Sequence, residues 1–254
     1  MRLCICQNRM DGIEFRWSVT TKSLEVLNLQ KKFGKNFAVK DISFHVGAGE
    51  IVGLVGLNGA GKTTALKIIL GLIQADSGSV SIDTGTERRR GDIGFLPEES
   101  DFSFLLTGYE TLLFAAALAG KIFYVEEVFN KTGIFYAKDK RIGTYSKGMK
   151  RRLGLACALV TLPKLIVLDE PQSGLDPLGR RGLASILEEE RSKGNSILIA
   201  SHDLNETAEI CDRVVVIHKG RDIAVLEREK ISDGKLKEKF FELIESDLAE
   251  CVVK

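Results

Sequence analysis

The sequence predicts an α/β fold: a mostly parallel core sheet flanked by helices, with an N-terminal antiparallel β layer and a helical insert. Apolar residues alternate at Leu24 and Val26 and again over residues 42–46, which indicates half-buried strands. The run 51–55 is nearly all apolar, as in strands buried on both faces of a parallel sheet. Residues from about 100 to 160 are rich in Ala, Leu and Phe and lack β-branched runs, so we expect helices there.

The remaining elements follow from local patterns along the chain. Leu66, Ile69 and Leu70 are spaced as on one face of a helix, which directly follows the apolar run 51–55. We expect an amphipathic helix at the C-terminal end, at about 233–248. The other predicted elements are short strands at 79–82 and 93–96, buried strands at 165–168 and 197–200, a helix through 183–187 and a hairpin at 214–225.

The amino-acid composition excludes some classes of function. The chain has 254 residues, enough for one large domain, and 36 basic against 35 acidic residues leave a net charge of +1. That balance supplies no bulk attraction for nucleic acid or an acidic membrane. No apolar run approaches the roughly 18 residues of a membrane span, and the first residues lack a secretory apolar region. We therefore expect a cytoplasmic protein that does not bind nucleic acid.

The cysteines and the N-terminal segment carry little functional signal. The five cysteines are few and scattered, so we interpret them as reduced structural thiols rather than disulfides or metal ligands. Residues 1–22 show no clear period. They are interpreted as a tail of unknown role, and an extra strand or a stretch preceding a start at Met10 remain alternatives. The cysteines are Cys4, Cys6, Cys157, Cys211 and Cys251.

The strongest motif is a glycine-rich loop between the strand 51–55 and the following helix. It reads G-x-x-x-x-G-K-T, in which glycines let successive backbone N–H groups point inward and the helix N-terminus adds positive potential. Lys62 is predicted to reach the terminal phosphates of a nucleotide and Thr63 to ligate Mg²⁺. The candidate nucleotide-binding residues are Gly56, Leu57, Asn58, Gly59, Ala60, Gly61, Lys62, Thr63 and Thr64.

A second motif places two carboxylates at the end of a buried strand. Four apolar residues, 165–168, lead directly into Asp169 and Glu170. Carboxylates in such a position are unfavourable unless metal or phosphate chemistry uses them. Asp169 is predicted to bind Mg²⁺, and Glu170 is the candidate general base for an attacking water.

Three further segments make the chain resemble the nucleotide-binding subunit of an export-type ATP-binding cassette (ABC) transporter. Residues 145–149, Tyr-Ser-Lys-Gly-Met, are similar to the cassette signature. Residues 173–176, Ser-Gly-Leu-Asp, resemble the loop that crosses the dimer interface, with Asp176 as its acid. Residues 201–203, Ser-His-Asp, resemble the switch loop, with His202 near the γ-phosphate. The signature residues expected to contact ATP held by the other subunit are Ser146, Lys147, Gly148 and Met149.

The resemblance implies a P-loop NTPase cassette that hydrolyses ATP with Mg²⁺. It implies a single ABC ATPase domain over 23–254, with a helical subdomain at about 99–160. Two cassettes, as a homodimer or with a paired ABC subunit, would close head to tail around ATP. Lys62, Glu170 and His202 would be the catalytic residues. Closure would drive an integral membrane transporter subunit on a separate chain, from the cytoplasmic face of the membrane.

Two weaker matches complete the resemblance. Phe33 falls where the family stacks an aromatic ring on adenine, and Val39 is expected as a second apolar contact. Glu98 stands where most cassettes carry glutamine. As a hard oxygen ligand it could still hold Mg²⁺, although it adds negative charge near phosphates.

Two other functions remain open at this point. One is a soluble non-transport cassette ATPase acting on nucleic acid or ribosomes, against which the near-neutral charge and single cassette argue. The other is an ATP-binding regulatory subunit with little hydrolysis, against which Glu170 and His202 argue.

Overall fold

The computed structural model describes residues 22–83, 92–231 and 236–252. The predictions for the N-terminal tail, including Cys4, Cys6 and Met10, lie outside the described residues.

The described strands form one sheet with an antiparallel and a parallel part. The strands are β1 (Lys22–Phe33), β2 (Asn36–Gly47), β3 (Ile51–Val55), β4 (Ser77–Ile82), β5 (Ile93–Leu96), β6 (Leu165–Asp169), β7 (Ser196–Ser201), β8 (Arg213–His218) and β9 (Arg221–Glu227). Their order across the sheet is β4-β1-β2-β9-β8-β3-β7-β6-β5.

The pairing confirms the predicted division of the sheet. β1 pairs antiparallel with both β2 and β4, whereas β3, β5, β6, β7 and β8 run parallel to their neighbours in the core. β8 and β9 form the predicted antiparallel hairpin. All residues of β3, β6 and β7 are buried, which explains their apolar runs, because helices cover both faces of a parallel sheet.

Two apolar layers lie on the two faces of the sheet. In β3, Val52 and Leu54 pack into one layer while Ile51 and Val55 pack into the other, as the alternation of a strand requires. Because parallel strands end at a common edge, the residues that follow β3, β6 and β7 are brought together there.

Helices cover the sheet and build the insert. Helix α2 (Gly108–Leu118) begins with a capping box between Thr107 and Glu110. Helices α4 (Lys147–Leu159) and α5 (Pro177–Ser192) begin at the side-chain caps Ser146 and Asp176. Short 3₁₀ turns lie at Ile122–Tyr124, Phe135–Ala137 and Ile142–Thr144. The helices are α1 (Lys62–Ile69), α2 (Gly108–Leu118), α3 (Val125–Lys131), α4 (Lys147–Leu159), α5 (Pro177–Ser192), α6 (Leu204–Ile210), α7 (Arg228–Ile231) and α8 (Leu236–Val252).

The C-terminal helix α8 packs on the core through Leu236, Phe240 and Ile244. His218 Nδ1 lies 2.6 Å from Asp247 Oδ2, which ties β8 to α8. Within the described ranges, none of the helices combines the length and the apolar character that a membrane span requires.

The two cysteines that the structure describes with side chains, Cys157 and Cys211, are free thiols. Burial raises the pKa of the Cys157 thiol to about 12 and that of Cys211 further. Neither is therefore a reactive thiolate at neutral pH, in agreement with the structural interpretation.

Candidate functional site

The phosphate loop joins β3 to α1 at the common edge of the parallel strands. Gly61 caps α1 with φ of 107°, a conformation that glycine adopts without strain, and a Cβ there would lie 2.4 Å from the Ala38 carbonyl oxygen. A Cβ on Gly56 would lie 2.3 Å from the Ile217 carbonyl oxygen. Close backbone approach therefore requires glycine at both positions, and the positive φ adds to the requirement at Gly61.

The loop opens into a cavity of ≈ 520 Å³, whose wall also contains Glu170 of the strand-end carboxylate pair and His202 of the switch loop. The loop, the end of β5, the end of β6 and the end of β7 each contribute to its wall. The lining residues are Ala38, Asn58, Gly59, Ala60, Gly61, Lys62, Thr63, Thr64, Glu98, Glu170 and His202.

Lys62 is the cation of this cavity. Its Nζ donates to the carbonyl oxygens of Gly56 at 2.6 Å and Leu57 at 3.3 Å, so the loop backbone folds around the ammonium group. Burial lowers the pKa of Lys62, and the nearby carboxylates, Glu170 foremost, oppose that shift. Gly56 and Leu57 thus hold Lys62 rather than lining the cavity themselves.

Asp169 and Thr63 form a pair that suits a hard cation. Thr63 Oγ1 donates to Asp169 Oδ2 at 2.9 Å, while Asp169 Oδ1 is buried without a hydrogen-bond partner among the described residues. Glu98 lines the adjacent cavity. Mg²⁺ is commonly bound through one or two carboxylates together with phosphate oxygens and water, so these oxygens fit that ion.

Asp169 is expected to destabilise the nucleotide-free chain. Burial raises the pKa of Asp169 above its ordinary value of 3.8. The folded state therefore binds this proton more tightly than the unfolded state does, and stability is lost as the pH rises through the raised pKa. We expect Asp169→Asn to raise the melting temperature by about 2–5 °C at pH 7.5 and to leave it nearly unchanged near pH 4.

Thermal unfolding of both proteins across that pH range, without nucleotide, measures the effect. An equal difference at both pH values would show that ionisation of Asp169 is not its cause.

Glu170 occupies a strained position beside His202. Its φ is 50°, a left-handed conformation that typically costs a residue other than glycine about 1 kcal/mol or more. The backbone N–H of Glu170 donates to the Ala200 carbonyl at 2.8 Å, which fixes the turn. The Glu170 Oε1 lies 2.8 Å from His202 Nδ1, so the structure brings the two predicted catalytic side chains into direct contact.

The signature residues lie in a second cavity, of ≈ 430 Å³, away from the phosphate loop. Ser146 Oγ accepts a hydrogen bond from the Met149 N–H at 3.2 Å and caps α4. Asp176 lines the same cavity and caps α5 by accepting from the Gly179 N–H at 2.7 Å. Signature and phosphate loop of one chain therefore do not share a cavity. The lining residues are Gly133, Tyr136, Ser146, Lys147, Gly148, Met149, Arg152, Gly174, Leu175 and Asp176.

The two predicted apolar contacts to adenine lie in different environments. Val39 is 0% exposed in the core layer of β1 and β2, so the prediction that it contacts the base is wrong. β2 alternates, and its neighbour Ala38 faces the cavity instead. Phe33 is 54% exposed at the end of β1 and lies outside the cavity lining, so its stacking role stays a prediction.

Sequence reasoning missed Arg151, which lies buried behind the site. Its guanidinium donates to backbone carbonyls of both loops that carry the site acids, including Glu98 and Glu170. A signal was present, because Arg151 precedes Leu155 by one helical turn on the buried face of α4.

The comparisons with known proteins agree with this geometry. The family described as ABC transporter matches residues 39–173. YdbJ of Bacillus subtilis, an uncharacterized ABC transporter ATP-binding protein, is 41% identical over 205 residues, which cover 78% of this chain and 67% of YdbJ. The Nod factor export ATP-binding protein I of Burkholderia lata is 38% identical over 211 residues, which cover 79% and 69% of the two chains.

Solved structures show the same fold. The structure of an ATP-binding subunit of an ABC transporter superposes with a TM-score of 0.75 at 31% identity, covering 88% of this chain and 98% of that one. From the matched family, these relatives and the cavity at the phosphate loop, it follows that the chain belongs to the ABC transporter family as an ATP-binding, ATP-hydrolysing subunit.

Proposed function

We propose that this ATPase subunit powers export through a separate membrane protein, by closing head to tail with a second cassette. The observation that carries the proposal is the cavity in which Lys62, Glu170 and His202 meet beside Asp169. A nucleotide-binding site that merely stored ATP would not need a carboxylate paired with histidine beside the phosphate loop.

The phosphate loop would bind the nucleotide. Its N–H groups and the N-terminus of α1 attract anionic oxygens, and Lys62 would exchange its contacts with the loop carbonyls for contacts with the terminal phosphates. Lys62 would then spread the negative charge that develops during transfer, which is the principal contribution of a protein to this reaction.

Glu170 would accept the proton of the attacking water. As the bond from water oxygen to the γ-phosphorus forms, the bond from that phosphorus to the bridging oxygen breaks, so that ADP leaves with the electron pair and inorganic phosphate remains. His202, held against Glu170, would orient that carboxylate and contact the phosphate. Mg²⁺ would be held by Thr63, Asp169 and Glu98, and when bound it neutralises charge on the phosphate oxygens.

In the proposed dimer, each chain supplies the phosphate loop of one ATP site and the signature of the other. The phosphate loop and the signature face separate cavities, and Ser146 with the N-terminal end of α4 offers a second set of donors for phosphate oxygens. A second cassette, identical or paired, would bring its signature to the phosphate loop of the first. We therefore expect weak turnover by the monomer.

An exposed apolar surface supports docking to a membrane subunit. We define the apolar patch as Phe114, Leu118, Ile122 and Phe123, at the end of α2 and the turn after it. Phe123 is 98% exposed, and Phe114 and Leu118 lie one helical turn apart on the same face. Contiguous exposed apolar side chains are typical of interaction surfaces.

Replacing Phe123 by Asp tests whether the apolar patch binds a membrane protein. Because a carboxylate in an apolar interface must be desolvated, we expect at least a tenfold lower yield of a multi-span membrane protein that co-purifies with the tagged chain in mild detergent. The melting temperature should be unchanged, because Phe123 packs on nothing. Leu72→Asp introduces the same carboxylate at an exposed leucine outside the patch; it is the matched control and should keep the partner. If the wild-type chain brings down no multi-span protein, the proposed transport function is wrong.

The export direction and the location rest on similarity. The relative from Burkholderia lata is named for Nod factor export, and this chain is similar to it over most of its length. Attachment at the cytoplasmic face of the membrane follows from the proposed partner, since ATP is available there.

A further inference from the structure

Arg151 forms a polar bridge between three segments that meet behind the phosphate cavity. It projects from the second turn of α4, is 5% exposed, and points its guanidinium at the loops that follow β5 and β6. Its acceptors are the backbone carbonyl oxygens of Pro97 (2.5 Å), Glu98 (2.9 Å), Asp169, Glu170 and Pro171 (3.1 Å).

The two loops present their carboxylates and their carbonyls in opposite directions. Glu98 and Glu170 line the phosphate cavity with their side chains while their carbonyl oxygens accept from Arg151. Arg151 itself is absent from the lining of that cavity and borders a different one, of ≈ 450 Å³, between α4 and α5. Its direct contacts with the site are therefore to the backbone of these acids.

The contact from Arg151 to a backbone carbonyl matters most at Glu170. Its left-handed φ of 50° persists only if neighbouring groups hold both ends of its peptide units. The Ala200 carbonyl holds the Glu170 N–H, and Arg151 holds the Glu170 carbonyl. Without the guanidinium, the carbonyl would lose this buried partner and the turn would relax toward an unstrained conformation.

The chemistry of these contacts requires a guanidinium. A planar group with donors on three nitrogens can serve acceptors on two loops at once, whereas an ammonium has one nitrogen and cannot span them. Burial lowers the pKa of Arg151 only to about 10, so it remains charged at neutral pH, and the charges of Asp169 and Glu170 favour that state.

We propose that Arg151 is a positioning residue for ATP hydrolysis, which holds Glu98 and the strained Glu170 at fixed positions relative to the signature helix α4. The inference rests on the proposed function. Because Ser146 caps the same helix, a shift of α4 at its signature end is transmitted by Arg151 to the backbone of Glu170.

The test compares Arg151→Gln and Arg151→Lys in the full chain, with kcat and KM for ATP and the melting temperature measured for each. Glutamine should lower kcat at least tenfold while KM changes less than threefold, because phosphate-binding groups stay in place. Lysine should recover part of kcat, since its charge and one contact remain. Arg213→Gln is the matched control: Arg213 is equally buried, at 5%, but donates to Glu50 and His45 at the opposite end of the strands.

The outcomes distinguish a role of Arg151 in positioning the site acids from a role in stability alone. The control should lose stability but keep kcat per folded chain. If Arg151→Gln does not fold, the kcat of Arg151→Lys tests the inference, and it should be lower than that of the wild type. A kcat per folded chain within twofold of wild type, or a change confined to KM, would overturn the inference while leaving the proposed function intact. A wild-type chain with no ATP turnover would instead defeat the proposed function, and the inference with it.

Discussion

Glu170→Gln is expected to lower ATP turnover by roughly 10²- to 10⁴-fold, the usual contribution of a general base, while ATP binding stays within a few-fold of wild type. The physical reason is that glutamine preserves the shape of the side chain and a hydrogen bond to His202 but cannot accept the proton of the attacking water. Phosphate release under saturating ATP and Mg²⁺ measures the rate, and a fluorescent ATP analogue measures binding.

The same variant should trap a closed dimer, because binding without hydrolysis leaves nucleotide between the two cassettes. Its elution volume with ATP and Mg²⁺ should correspond to twice the mass of the chain. Glu188→Gln, an exposed glutamate on α5, is the control and should behave as wild type. Turnover by Glu170→Gln at the wild-type rate would show that Glu170 is not the base.

Lys62→Ala is expected to abolish detectable turnover and to weaken ATP binding. A charge-assisted hydrogen bond contributes about 1.5–3 kcal/mol, which corresponds to a loss of affinity of about 10- to 150-fold. The loss should lie toward the upper end, because three carboxylates near the loop, those of Glu170, Asp169 and Glu98, would then repel phosphate without the opposing charge of Lys62.

Binding of the fluorescent ATP analogue and phosphate release together measure this effect. Lys67→Ala removes an exposed lysine from the last turn of the same helix and should leave both quantities unchanged. Activity retained by Lys62→Ala would contradict the assignment of the phosphate loop.

Most of the fold could be predicted from local patterns. Apolar runs identified the buried strands β3, β6 and β7, and alternation identified β1 and β2, because burial on one or both faces dictates composition directly. The edge at which the motifs meet followed from the parallel arrangement alone.

What the sequence could not supply depends on contacts between distant segments. The family resemblance predicts that Val39 contacts the nucleotide, yet the alternation of β2 directs Val39 into the core and Ala38 toward the cavity. The helical spacing of Arg151 indicates only that it is buried; its contacts could not be predicted, because its acceptors are backbone carbonyls, which every residue type carries. The left-handed φ of Glu170, the residue that contacts His202, is likewise required by no local pattern.

If one chain holds only half of each ATP site, as we propose, turnover per chain must depend on the concentration of the chain. The wild-type chain should hydrolyse ATP with Mg²⁺ at a rate per chain that rises with concentration and levels off as dimers form. We expect this behaviour because the phosphate loop and the signature of one chain line separate cavities. A rate per chain that stays constant while the chain elutes as a monomer would show that one chain completes its own ATP site, and the proposed pairing of cassettes would be wrong.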